Sequence, residues 1–431
     1  MARAKNYLMW NMTRKCNVRC HYCYYPHDPG PVEDNLPVAM LKDFLDGTGR
    51  EWVVGMTGGE PFLYPDFVGL CAILAETHKI SVDTNLSLTK EVGRFARTID
   101  PSRVHDLYVA LHVEERERRG GMDAFVRNVN ELTDRGFNVV VNYVLHPDII
   151  GRFAEDRDRL AEKGVVITPR PFKGVHQDRE YPAAYSAEAK TLFSSHPGAG
   201  KKTVFDFCGV LCNGGRSFIR MEPDGTVFRC AGEKTIMGNL LTGIELYDEP
   251  MPCRARRCPC LGPNHVVLSD VENCQFEAIK MANVGNMDQA ETLYRQALAA
   301  DPALSTARTN LAMLLWEAGE TAEAEAGFRQ AWTDDPGDPY AAGNLAAALA
   351  VRGELETARS VMDEFMASDA HKLDKRFLER LNQSLAANEP PAGWPRSTTA
   401  ILPQARRTVT PVLRNSSACS TPQKMADAAK R

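Results

Sequence analysis

Between Tyr7 and Phe172, six short apolar runs alternate with helical or mixed segments at a spacing of about 28 residues, the length of a βα unit. The runs are Tyr7 to Thr13, Glu51 to Thr57, Lys79 to Asn85, His105 to His112, Phe137 to His146 and Val165 to Phe172. Helices are expected between them at Pro37 to Asp46, Tyr64 to Thr77, Met122 to Arg135 and Arg152 to Lys163, several ending at Gly. Such alternation restricts the chain to a parallel sheet with helices outside, either doubly wound or a full or partial barrel. Loops that carry function then lie at the C-terminal ends of the strands.

Beyond this segment the character of the chain changes. Lys173 to Gly200 reads as a linker with a short helix around Ala187 to Phe193. Phe205 to Cys274 is rich in Cys and Gly, with a hairpin signal at Pro223-Asp224-Gly225 between Ser217 to Met221 and Thr226 to Arg229. A period of 34 then sets in: Gly285, Gly319 and Gly353; Ala290, Ala324 and Ala358; Tyr294 with Phe328, Ala297 with Ala331, Pro302 with Pro336. The period and residue types resemble tetratricopeptide repeats (TPRs), in which stacked helix pairs approach through small residues. About two and a half repeats are visible, so a capping helix near Lys372 to Leu385, or docking on the rest of the chain, is expected to complete the core. After Pro390 the chain is rich in Pro, Ser, Thr and Ala, with seven Lys/Arg against one acidic residue, and reads as a disordered basic tail.

The formal charge of −5 excludes a dominant basic field, and with it general binding to nucleic acid or anionic membrane. No run of 18 apolar residues occurs, so no membrane span is expected, and the N-terminal stretch lacks the features of a secretory signal. The expected location is cytoplasmic. There, twelve cysteines point to metal or redox chemistry rather than to disulfides. Three of them lie within Cys16 to Cys23 and seven within Cys208 to Cys274.

Cys16, Cys20 and Cys23 put three thiolates on one short loop directly after the first strand, enough for three corners of a cubane cluster with one iron left open. An open coordination site is what a catalytic metal centre needs. A zinc knuckle completed by His21 or His27 is the rival reading. With Tyr22 preceding Cys23, the motif resembles that of the radical S-adenosylmethionine (SAM) superfamily. The resemblance implies that a [4Fe–4S] cluster binds SAM through the open iron and cleaves it reductively to a 5′-deoxyadenosyl radical, which abstracts hydrogen from substrate. Gly58-Gly59-Glu60-Pro61, after the second strand, is similar to the family's second signature, whose backbone contacts the methionine amino group; glycines are expected there because a Cβ would block that approach. Asn85 lies in Thr84-Asn85-Leu86, similar to a family Thr-Asn-Gly turn with Leu86 in place of the glycine. His112 and Asn142 fall where polar groups meet the ribose and carboxylate, or are water-exposed strand ends; Arg170 faces SAM or substrate, or forms a surface salt bridge. Cys71 reads as core, Glu114 to Arg119 as a solvated charged face, and His105, His146 and His176 lack partner spacing.

Cys212-x12-Gly225-x4-Cys230 resembles the opening of the SPASM/twitch modules that follow many radical SAM cores and bind auxiliary [4Fe–4S] clusters. By that resemblance Cys212 and Cys230, with Cys253, Cys258 and Cys260, hold at least one auxiliary cluster; a structural zinc is the rival. Cys208 and Cys274 complete a second cluster or are buried small hydrophobes.

The expected fold class is therefore α/β, a partial (β/α)6 TIM-like barrel followed by a small cysteine-rich α+β module and an α-solenoid. Its expected domains are 1–200 for the core with linker, 201–275 for the module, 276–388 for the repeats and 389–431 for the tail. The leading expectation is an enzyme that modifies a peptide or protein met through the TPRs, with the auxiliary cluster accepting an electron and a flavodoxin or ferredoxin as reductant. The chain begins almost at the first strand, which counts against a leader-binding domain and so against the peptide reading. The alternatives are a dehydrogenase or epimerase of a small molecule such as a sugar, and a non-enzymatic TPR adaptor.

Overall fold

The computed structural model describes residues 6–23, 36–182, 184–194, 205–255, 258, 265–283, 286–367 and 383. Cys260, His27, Gly285, the tail and nearly all of the expected capping helix lie outside the described residues. The chain divides into two compact units, Met1–Lys201 with Asn213–Glu249, and Lys202–Cys212 with Pro250–Arg431, so the expected 201–275 module is shared between them.

The first unit is built on six parallel strands, β1 (Tyr7–Thr13), β2 (Val53–Gly58), β3 (Lys79–Thr84), β4 (Val104–Ala110), β5 (Val139–Leu145) and β6 (Ile167–Pro171). Between them run α1 (Val38–Gly47), α2 (Phe67–Ala75), α3 (Thr89–Thr98), α4 (Val113–Arg119), α5 (Met122–Asp134) and α6 (Phe153–Ala161). A small hairpin of β7 (Gly174–His176) and β8 (Arg179–Tyr181) follows, then α7 (Ala187–Ser194). The strands are hydrogen-bonded in chain order from β1 to β6 and the sheet does not close, as a partial barrel requires.

Side chains alternate across each strand. Leu8, Trp10, Val54, Met56, Ile80, Val82, Leu107, Val109, Val141 and Tyr143 all enter one buried cluster with Leu41, Leu74, Phe95, Phe125 and Leu160 of the helices. The opposite register positions are mostly polar: Asn11, Thr57, Ser81, Asp83, Tyr108, Asn142 and Arg170. Gly55 lies on that polar face because an added Cβ would fall 2.0 Å from Tyr7 Oη, whose ring crosses it.

After β9 (Leu211–Cys212), the sequence-predicted hairpin forms as β10 (Phe218–Met221) and β11 (Thr226–Phe228), joined by β12 (Ile236–Asn239) and β13 (Gly243–Ile244). These four do not make a free-standing module. β10 pairs in parallel with β1, Tyr7 to Phe218 through Trp10 to Met221, so the sheet has ten strands in the order β13-β12-β11-β10-β1-β2-β3-β4-β5-β6. Ile219, Met221 and Val227 enter the same core as the barrel strands. That continuity attaches this segment to the barrel.

In the second unit β9 pairs with β14 (Met251–Pro252), and six helices follow: α8 (Asp270–Asn283), α9 (Met287–Ala300), α10 (Ser305–Glu317), α11 (Thr321–Asp334), α12 (Pro339–Val351) and α13 (Leu355–Ala367). Between Phe205 and Cys258 the described residues hold strands and no helix, so the expected α+β module is β-rich. Every position of the 34-residue period that lies inside a described helix is core: Ala290, Ala297, Ala324, Phe328, Ala331 and Ala358 are fully buried, and Tyr294 nearly so. Gly319 and Gly353, at φ of 89° and 85°, make the left-handed turns that a side chain would strain. Among the described residues the helices make three pairs rather than two and a half, because α8 supplies the first helix of the first pair. Phe205 and Phe207 pack against Phe276 of α8 in tilted contacts with ring centroids 4.7 and 5.8 Å away, so the cysteine-bearing segment shares the core of the repeats. α10 and α12 are buried over almost their whole length.

Candidate active site

The three-cysteine loop leaves the C-terminal end of β1 and turns tightly, with the Cys23 N–H donating to the Cys20 carbonyl at 3.1 Å. Burial, then the negative charge of the other two thiolates, pushes the Cys20 thiol up to about 12; burial also raises Cys16, with Cys23 adding to it. Thiols so raised at Cys16 and Cys20 need a concentrated positive charge to stay thiolate, and an iron–sulfur core supplies it. The donor set fits a cubane with one iron unligated by protein.

The Gly-Gly-Glu turn is built against this loop. Gly59 N donates to Thr13 O at 2.7 Å and Glu60 N to Lys15 O at 2.8 Å. An added Cβ would fall 2.4 Å from Thr13 O at Gly58 and 1.9 Å from Lys15 O at Gly59. The glycines are thus required by the approach of the cysteine loop itself, a nearer cause than the approach of a ligand. Glu60 is fully buried and its carboxylate accepts from Phe62 N at 3.1 Å, Thr84 Oγ1 at 2.7 Å and Asn85 N at 2.7 Å. Burial raises its pKa while these donors and Arg116 pull it down. Its side chain ties the end of β2 to the end of β3.

Asn85 is placed by that tie. Its Nδ2 reaches Asn17 Oδ1 at 2.9 Å and Cys16 Sγ at 3.8 Å, and Asn17 in turn donates to Ser87 Oγ at 2.8 Å. Leu86 adopts φ 55°, the left-handed conformation that a glycine would take, and is paid back by complete burial in the core. The departure from glycine therefore leaves the turn intact.

His112, also left-handed at φ 46°, turns its Nδ1 to Cys20 Sγ and Tyr22 Oη, each at 3.0 Å. Burial lowers its pKa to about 4, so the ring is neutral at pH 7. Asn142 is half-buried on the polar face of the sheet, where its Oδ1 accepts from Arg170 Nε at 2.6 Å.

Glu114 to Arg119 is a solvated face only in part: Glu117, Arg118 and Arg119 are exposed, but Arg116 turns inward. It forms α4, in which Arg116 is buried under the Phe125 ring at 4.0 Å and donates to the carbonyls of Leu111 and Asn85, while Arg119 donates to Asn17 O at 2.6 Å. Arg116 and Arg119 hold the Asn85 turn and the cysteine loop together. Nothing in the local charge pattern separates these two arginines from Arg118, which pairs with Glu115 on the surface. Cys71 is buried core, as expected.

Of the auxiliary candidates, Cys212, Cys253 and Cys258 are buried in the second unit, where Cys253 N donates to Val210 O at 2.8 Å and Cys258 N to Phe205 O at 3.0 Å. Cys230 belongs to the first unit, just after β11, and is half-buried. Cys208 is buried and disulfide-bonded, neither a free cluster ligand nor a free thiol as expected, and Cys274 lies on α8 among the repeat helices.

Residues 10–160 match the family model described as the radical SAM superfamily, and residues 315–373 match a tetratricopeptide repeat model. The 7-carboxy-7-deazaguanine synthase of Methanothermobacter thermautotrophicus is 33% identical over 129 residues, 29% of this chain and 51% of that protein. The Fe-coproporphyrin III synthase of Methanosarcina barkeri is 25% identical over 189 residues, 40% of this chain and 47% of that protein. The chain spans about half the length of these curated relatives. Among solved structures, Streptococcus suis SuiB bound to S-adenosylmethionine is similar with a TM-score of 0.41 at 14% identity, over 56% of this chain and 64% of that one. Among the described residues no helix is long and apolar enough to cross a membrane.

Proposed function

We propose, from the premise that this chain carries a radical SAM domain over residues 10–160 and tetratricopeptide repeats over 315–373, that it cleaves SAM reductively and abstracts hydrogen from a peptide or protein substrate. The observation that carries the first part is the three-thiol loop held against the Gly58-Gly59 turn by two backbone hydrogen bonds. When bound at Cys16, Cys20 and Cys23, a [4Fe–4S] cluster supplies the electron that cleaves SAM and yields the 5′-deoxyadenosyl radical.

The chain's own residues prepare that site. Since the N–H groups of Gly59 and Glu60 are spent on the cysteine loop, a methionine ammonium would be met by acceptors, for which the carbonyls of Gly58 and Gly59 are suited. Asn85 and neutral His112 hold the loop through Cys16 and Cys20. The polar face of the sheet, with Asn142 and Arg170 fixed on each other, offers donors and acceptors to the rest of SAM and to substrate. An auxiliary [4Fe–4S] cluster that takes its ligands, at most four, from among Cys212, Cys230, Cys253, Cys258 and Cys260 is the proposed electron acceptor, and a flavodoxin or ferredoxin the proposed reductant.

The repeats support a macromolecular substrate, since such helix pairs commonly present surfaces to peptides and proteins. The second reading, a small-molecule substrate, is supported by the curated relatives, whose names are those of small-molecule synthases. The test is anaerobic reconstitution with iron and sulfide, then SAM and a strong reductant. 5′-Deoxyadenosine from the wild type and none from a Cys16→Ala, Cys20→Ala, Cys23→Ala variant is expected. Absence from both would overturn the enzyme reading and favour an adaptor.

A further inference from the structure

Three histidines given no joint role by their spacing converge beside the cysteine loop. His21 stands between Cys20 and Tyr22 on that loop, His146 just past the end of β5, and His176 at the end of β7. The His146 ring is 4.6 Å from that of His21 and 4.7 Å from that of His176, edge to face in both cases. One carboxylate serves two of them: Asp148 Oδ2 lies 3.3 Å from His146 Nδ1, and its Oδ1 lies 3.0 Å from His176 Nε2. One ligand atom from each of His21, His146 and Asp148 lies within 4.8 Å of the others. His146 is only 2% exposed and is walled by Phe172, whose ring is 4.7 Å away.

We propose that His21, His146 and Asp148 bind one divalent transition-metal ion of the zinc class, distinct from any iron–sulfur cluster. Two imidazoles and a carboxylate are a recurrent ligand set for such an ion, and three protein ligands leave a fourth position for water or a substrate oxygen. His176 is a positioning residue. Its Nε2, 3.0 Å from Asp148 Oδ1, orients the carboxylate, the role outer partners of metal ligands have. The hydrophobic wall of Phe172 and the near-complete burial of His146 make the ring hard to move, so the site is preorganised on its least mobile member. Its consequence for the chain is mechanical as well as chemical. The ion would join the cysteine loop after β1 to the loop after β5, strands that stand first and fifth in the six-strand run.

The test uses the full-length protein with its clusters reconstituted, incubated with zinc chloride and desalted, with zinc and iron counted together. The wild type is expected to hold one more zinc than Asp148→Asn, at equal iron. Asp148 has a half-exposed side chain, so this substitution leaves the fold in place. His176→Ala is expected to bind zinc about 10- to 100-fold more weakly in competition with a chelator. Zinc-edge absorption should show a shell of nitrogen and oxygen at about 2.0–2.1 Å. Equal zinc in wild type and Asp148→Asn, or a first shell made of sulfur, overturns the proposal and leaves the cluster as a group of packed side chains. Because iron is read in the same samples, this outcome is separate from the fate of the radical SAM reading.

Discussion

Replacing Gly59 with Ala tests how the site is assembled. The new Cβ would fall 1.9 Å from Lys15 O and 2.4 Å from Lys15 C. Carbon and oxygen atoms in good contact stand about 3.5 Å apart, so the cysteine loop would have to retreat by ~1.5 Å. The Glu60 N to Lys15 O bond of 2.8 Å does not survive that shift, and the Gly59 N to Thr13 O bond of 2.7 Å is stretched with it. Overpacking costs ~1–3 kcal/mol and each hydrogen bond ~1 kcal/mol, for a sum of about 3–5 kcal/mol. For a unit of this size that lowers the melting temperature by roughly 6–20 °C. The assay is thermal unfolding of the reconstituted protein, with iron counted on the same sample. Gly151→Ala is the control, since a Cβ there meets nothing within 4 Å; it should stay within ~0.5 kcal/mol of wild type. If Gly59→Ala melts with the wild type and keeps its iron, the claim that the turn is shaped by the cysteine loop is refuted.

Glu60→Gln puts an N–H donor where the buried carboxylate accepts from Phe62 N, Thr84 Oγ1 and Asn85 N, and should lower stability to urea by ~1–3 kcal/mol; an unchanged midpoint would show that the carboxylate is not the tie between β2 and β3. Burial holds His78 below its ordinary range, against the pull of Asp46, while its Nδ1 accepts from Trp52 N at 3.4 Å. The unfolded chain therefore binds the extra proton as pH falls through about 6.5, so the contribution is whole above that pH and lost below it. Urea midpoints at pH 7.5 and 5.5 should differ more for wild type than for His78→Gln, and an equal difference would count against it. Phe328→Ala, emptying a fully buried site between repeat helices, should destabilise the second unit by ~3–5 kcal/mol in calorimetry, and a loss below ~1 kcal/mol would mean that the packing there is loose.

What could be read in the sequence was local or periodic. The first strand was expected over Tyr7 to Thr13 and forms there, and the cysteine loop and Gly-Gly-Glu turn stand at adjacent strand ends because strand order follows chain order. The repeats were legible because Ala324, Phe328 and Ala331 recur in the same core roles. α8 escaped the period because Phe276 stands where Asn310 and Asn344 recur, its ring serving Phe205 and Phe207 instead of a preceding helix. The hairpin was visible from Pro223-Asp224-Gly225, yet its parallel pairing with β1 joins residues about 210 positions apart and leaves no local signal. α4 reads as a charge run because what distinguishes Arg116 is the pair of carbonyls it reaches, at Leu111 and Asn85. The histidine cluster escaped for the same reason, since its members come from three separate strand ends.

The central claim is that the thiols of Cys16, Cys20 and Cys23 hold a cluster whose open iron takes SAM. Electron paramagnetic resonance of the reduced, reconstituted protein before and after SAM tests it most directly. The account predicts a [4Fe–4S] signal whose g-values shift on adding SAM, and which is missing, with about four irons, from the Cys16→Ala, Cys20→Ala, Cys23→Ala variant. A spectrum indifferent to SAM, or equal iron in the two proteins, would contradict it.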